Sequence, residues 1–118
     1  MDSERQAKLN TALDQILRAL ITNYQPEKVI LFGSMARSDV SEWSDVDLVI
    51  VKETPLPFLQ RSKAVALLCL VPVSVDYLVY TPDEFDQMVA ERNPFIVDEV
   101  LGKGKVIYER QPAEAVAR

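Results

Sequence analysis

The sequence predicts an α/β fold of the mixed α+β kind, a small β-sheet covered by helices. Short apolar runs bounded by proline or glycine alternate with longer amphipathic stretches at helical spacing. The chain has 118 residues, 48% of them hydrophobic, enough for one sizeable core. One cysteine and no histidine leave neither a disulfide nor a zinc staple, so burial alone must hold the fold. A single domain is expected over residues 1–110, with 111–118 a frayed tail.

Residues 3–24 read as the first helix, because Leu9, Leu13, Ile16, Leu17, Leu20 and Tyr24 recur three and four apart. Pro26 stops it, since proline removes a donor and restricts the residue before it. Val29-Ile30-Leu31-Phe32, closed by Gly33, is a buried strand. Residues 33–44 form a helical turn and a polar loop. Asp45 to Val51 is the second strand, with Val46, Leu48 and Ile50 on one face and Asp45, Asp47, Val49 and Val51 on the other. A helix over 58–70 follows a Pro-containing turn. It includes Cys69, which sits in the apolar run Ala64–Val71 and reads as a buried thiol. The third strand runs from Val73 to Tyr80. Thr81, Pro82 and Glu84 spell a capping box with proline at the first helical position, and the core face of that helix is Phe85, Met88 and Val89. Asn93-Pro94 opens a last helix over 95–101, ended by Gly102, and Val106-Ile107-Tyr108 is an edge strand.

The first two strands are a dozen residues apart, too few for a crossover, so they pair antiparallel. About twenty residues and a helix separate the second from the third, which suits a right-handed parallel crossover. The sheet order first, second, third then brings Gly33-Ser34, Asp45, Asp47 and Asp76 to one edge.

Thirteen basic and eighteen acidic side chains give a net charge of −5. Such a domain repels phosphate at long range, so autonomous nucleic-acid binding is not expected. Without histidine there is no Ser-His-Asp triad, and Ser34 has nothing to activate it as a nucleophile. Met1-Asp2-Ser3-Glu4-Arg5 is not a signal peptide, and no apolar run spans a bilayer, so a soluble cytoplasmic protein is expected.

Asp45 and Asp47 lie two apart on a strand, with Cα atoms roughly 7 Å apart and side chains on one side. They can lean onto a pair of cations, with Asp76 as a third oxygen donor or as the base for a hydroxyl. Oxygen donors alone favour magnesium or manganese. Carboxylates about 5 Å apart repel by around 3 kcal/mol at an effective dielectric near 20, and no lysine or arginine adjoins these three in sequence. A divalent ion would supply the missing charge; solvated strand ends are the plainer alternative. Backbone N–H groups after Gly33 and the Ser34 hydroxyl would take a phosphate oxygen, unless Ser34 is simply a helix cap.

Gly33-Ser34, ten residues, then Asp45-Val46-Asp47, with Asp76 alone in the next strand, resembles the nucleotidyltransferases of the DNA polymerase β superfamily. Leu31-Phe32-Gly33-Ser34-Met35-Ala36-Arg37, Ser44 to Ile50 and Val75-Asp76-Tyr77 look most like the minimal nucleotidyltransferase (MNT) branch. The resemblance implies a nucleotidyltransferase fold in which Gly33 and Ser34 hold the nucleotide phosphates. Asp45 and Asp47 would bind magnesium, as two ions, with Asp76 as the third acid, placed to activate the acceptor hydroxyl. Arg37 falls on the family's arginine, steadying phosphates or loop, or else is a solvated helix end. Ser38 stands where the family has glycine. Trp43 either stacks on a base or anchors its loop.

The activity implied is transfer of AMP from ATP to an acceptor hydroxyl. Larger relatives add helical acceptor-binding domains, so here the acceptor is expected on a partner. MNT chains pair with HEPN-domain proteins as toxin–antitoxin systems, in which the transferase attaches AMP to a tyrosine of the toxin. Two alternatives stand beside this: a small-molecule transferase of the aminoglycoside type, whose acceptor pocket would need a homo-oligomer, and an antitoxin that binds without catalysis.

Overall fold

A computed structural model of the chain describes residues 2–37, 40–41 and 44–110, with Asp2 and Ser3 by backbone alone. The expectations placed on Ser38, Trp43 and the tail from residue 111 lie outside the described residues.

Helix α1 spans Asp2–Ala19 and runs directly into a π-helical turn, Leu20–Tyr24, so the two together fill the predicted first helix. It ends where Gln25 adopts a left-handed φ of 55° and returns its N–H to the Leu20 carbonyl at 2.7 Å, one residue before buried Pro26. There follow β1 (Lys28–Phe32), β2 (Val46–Val51), α2 (Phe58–Leu68), β3 (Val75–Tyr80), α3 (Pro82–Ala90), a π-helical segment (Phe95–Gly102) and β4 (Lys105–Glu109).

The four strands form one sheet in the order β3-β2-β1-β4. β1 pairs antiparallel with β2 and β4, and β2 pairs parallel with β3. Both faces are covered. On one, Leu9, Ile16 and Leu20 at the amino-terminal end and Val65 of α2 pack against Val29, Leu31, Val46, Leu48, Ile50 and Val79. On the other, Ile30, Val49 and Val51 meet Phe85 of α3 and Ile96 and Val100 of the π-helical segment. Alternation along β2 therefore feeds two cores, and Asp47 belongs to the row of Val49 and Val51.

Several boundaries differ from expectation, among them α2, which ends at Leu68 rather than residue 70. β2 begins at Val46 rather than Asp45, and β3 at Val75 rather than Val73. The first rung joining them is Val46 N–H to Ser74 carbonyl (3.1 Å), because the chain is still bent at Pro72 and Val73. Val89, expected in the core, is 37% exposed while Phe85 is buried.

The capping box is present: Thr81 Oγ1 accepts the Glu84 N–H (3.1 Å) and Glu84 Oε1 accepts the Thr81 N–H (2.9 Å). Glu84 also holds buried Arg61 bidentately, Nη1 to Oε1 at 2.6 Å and Nη2 to Oε2 at 3.2 Å. Arg61 further donates to the Leu56 and Val79 carbonyls (2.8 and 3.1 Å), so one guanidinium joins α2, β3 and α3. The Arg61–Glu84 hydrogen bond holds the Glu84 carboxyl below the usual range. Arg61→Met is expected to lower the unfolding free energy by about 2–4 kcal/mol, because it strands these acceptors. Glu84→Gln, which keeps a capping acceptor, should cost about 1 kcal/mol. Urea unfolding of the two variants checks the ranking.

Candidate active site

Parallel pairing of β2 with β3 sets Asp47 directly opposite Asp76, and antiparallel pairing of β1 with β2 sets Phe32 opposite Asp47. The residue after Phe32 is Gly33, which adopts φ +77°. A β-carbon at Gly33 would collide with the Asp47 carboxylate, so this position needs glycine both for its backbone and for the space. Asp47 thus sits with its carboxyl against the bare backbone that ends β1.

The parallel register therefore sets the Asp47 and Asp76 carboxyl groups side by side on neighbouring strands. The Asp47 carboxyl is pushed up to about 6, first by burial, then by the hydrogen bond and charge of Asp76 and by the charge of Asp45. Arg37 pulls the other way. Basic residues remote in sequence therefore do reach the acids, contrary to the impression left by their immediate neighbours. Arg37 follows a single turn whose N–H to Gly33 carbonyl bond (3.2 Å) closes the loop start, and its side chain also approaches Glu99 at 3.9 Å.

Asp47 and Asp76 open into a groove of about 570 Å³. Its walls include Phe32 and Phe95, which meet edge-on with centroids 5.3 Å apart, and Ser62, Lys63 and Ala66 from α2. Asp45, half-buried just before β2, stands outside this wall, as does Ser34, half-buried at the start of the turn. Among the described residues no three acidic side chains gather about a single point. The acids form a registered pair, Asp47 beside Asp76, with the Asp45 charge also acting on Asp47.

Two contributors carried no signal in local sequence. Lys63 reaches the groove because the crossover helix packs along edge strand β3. Arg5 of α1 donates from Nη2 to the Ser44 carbonyl (2.6 Å), and Ser44 Oγ accepts the Ser41 N–H (2.8 Å), so the chain entering Asp45 is tied to the first helix. Only the excess of polar residues flanking Asp45 hints that such a tie is needed.

Residues 14–113 match the family described as polymerase beta, nucleotidyltransferase. The chain belongs to the polymerase β nucleotidyltransferase family. Two Methanocaldococcus jannaschii proteins, each named "putative protein adenylyltransferase", are similar to it. One is 30% identical over 82% of this chain and 95% of its own length, the other 32% identical over 86% and 73%. In fold it is similar to the crystal structure of a "putative nucleotidyltransferase" from Sulfolobus solfataricus, at a TM-score of 0.63 and 22% identity, covering 92% of this chain and 87% of that one. The nucleotidyltransferase fold and the family-level activity expected from the sequence are thereby met.

Two outcomes follow. The folded state binds a proton at Asp47 more readily than the unfolded chain, so metal-free stability should rise as pH falls from about 7 to about 4.5. Because Asp47 is half-exposed, the rise should be about 1 kcal/mol. Asp47→Asn should stabilise the metal-free protein and flatten that slope, as measured by chemical denaturation across the pH range. Gly33→Ala should cost about 1–3 kcal/mol and displace Asp47, read from the same titration as loss of the Asp47-dependent slope.

Proposed function

We propose that this nucleotidyltransferase moves AMP from ATP to a hydroxyl on a partner protein, a tyrosine of a HEPN-domain toxin, and so acts as the antitoxin of the pair. The observation that carries the reading is the registered Asp47–Asp76 pair set against the bare backbone of Gly33. Membership of the family and the names borne by the two archaeal relatives support it. ATP as donor and a toxin as acceptor place the work in the cytoplasm. No helix among the described residues is long and apolar enough to cross a membrane.

The donor set fits a hard divalent cation: carboxylate oxygens, no sulfur or imidazole, and a pair whose repulsion an added positive charge relieves. Asp47 and Asp76 would hold magnesium, as two ions. Asp45, which stands outside the groove wall but acts on Asp47 by its charge, would be the further ligand. The bound metal would neutralise the charge of the nucleotide phosphates. The chain's own groups do the rest. Backbone N–H groups after Gly33 and the Ser34 hydroxyl receive phosphate oxygens, and the Arg37 guanidinium steadies them. The acceptor oxygen attacks the α-phosphorus, the bond to the bridging oxygen breaks, and pyrophosphate departs. The Asp76 carboxylate accepts the acceptor's proton. Catalysis here is positioning and charge neutralisation.

Intact-mass spectrometry of a HEPN-domain protein co-expressed with this chain tests the reading. Additions in AMP-sized steps are expected, together with relief of toxicity. Asp47→Asn should reduce the modification by about a hundredfold or more. Protection that persists in full without any added mass overturns the catalytic reading.

A further inference from the structure

The outer face of α2 is apolar and uncovered. Leu59 and Leu67 are 85% and 69% exposed, and Leu70, just past the helix end, is 85% exposed. Arg61 and Val65, on the opposite side of the same helix, are buried. Leu59, Lys63 and Leu67 recur four apart within α2, so they share one helix face as a stripe, and exposed Leu70 follows just beyond its end. Single exposed leucines are ordinary, but a contiguous row on one helix face marks a contact surface.

Position and charge say what covers it. Lys63 of the stripe, with Ser62 and half-buried Ala66 beside it on α2, is also a wall residue of the groove that holds Asp47 and Asp76. A body seated on the leucines is therefore brought to the rim of the reacting centre. The charge pattern selects its kind. Residues 54–75 contain no aspartate or glutamate, although the chain carries eighteen elsewhere. Arg61 is committed to Glu84, which leaves exposed Lys63 as the stripe's own cation. Two copies of this chain joined through the stripe about a two-fold axis would bring two Lys63 side chains into one apolar interface without a carboxylate from this segment between them. A different protein, apolar with an acidic residue set against Lys63, satisfies both demands.

We infer that the leucine face of α2 is the docking surface for the protein that receives the nucleotide, seated so that its hydroxyl enters the groove past Lys63 toward Asp76. This rests on the protein-acceptor reading above and adds the surface that selects the acceptor.

The test uses the full chain in its native host, with a benzoylphenylalanine photocrosslinker replacing Leu67 or, as a control on α1, exposed Asp14. The expected result is one crosslinked protein from position 67 and not from position 14. In the unmodified chain that protein should carry a nucleoside-monophosphate addition, and the crosslink should survive Asp47→Asn while the addition disappears. In parallel, Leu59→Glu with Leu67→Glu should cut modification of that protein at least tenfold. The thermal midpoint and the midpoint shift on adding magnesium with ATP should stay unchanged. Modification that is undiminished in the double variant overturns the docking face and leaves the protein-acceptor reading standing. A specific crosslink to a protein that never gains a nucleotide overturns that reading instead. A crosslink only to a second copy of this chain, or none at position 67, overturns the proposal.

Discussion

The structure depends on one juxtaposition: parallel pairing of β2 with β3 in a register that puts Asp47 beside Asp76. A one-residue slip would turn one of the two carboxyls to the opposite face of the sheet and bury it among the leucines and valines packed under α1. The hydrophobic rows of β2 forbid that slip. Val46, Leu48 and Ile50 are locked into one core, Val49 and Val51 into the other. The register that satisfies the apolar side chains is thus the register that forces two like charges together. Core packing imposes the electrostatic conflict, and it shows in the raised Asp47 carboxyl.

Around that pair, a few long side chains fix elements that have little area to share. Arg61 draws α2, β3 and α3 together through four hydrogen bonds, and Arg5 reaches from α1 to the backbone just ahead of Asp45. Neither is a surface ion pair of the weak kind. Arg61 is buried and bidentate, and Arg5 donates to a carbonyl of buried Ser44. Both contacts bridge residues distant in the chain, so they lower the freedom of the loops leading into β2 and out of β3.

Much of this was legible in the sequence because it follows from local periods and loop lengths. The alternation of β2, the proline stop after Tyr24 and the Thr81–Glu84 cap each specify their structure within a few residues. The convergence of Gly33, Asp47 and Asp76 was legible too, since short connections leave few topologies. Lys63 and Arg5 were not, because their roles depend on which way a helix is rolled against the sheet. The π-helical widening at Leu20–Tyr24 and Phe95–Gly102 likewise leaves no mark in a three-and-four spacing. Val89 misled as well: its spacing fits the core face, yet it stays exposed while Phe85 is buried.

The same physics accounts for the exposed leucines and the strained acids. A side chain kept in water when it could be buried, and a carboxyl kept near another when it could be solvated, both hold the isolated fold below the stability its composition permits. Binding partners of matching chemistry recover each loss, and only in the native state, so each raises stability by its differential affinity. Because Lys63 belongs to the stripe and, with Ser62 and Ala66, to the wall of the groove that holds the acid pair, the two recoveries would be spatially linked. A body docked on α2 as proposed would narrow the groove and remove water from around Asp47 and Asp76. That drying strengthens their interaction with whatever positive charge they hold. Burial of the leucines and neutralisation of the aspartates are therefore expected to favour each other, through a single helix that serves as the wall of one site and the floor of the other.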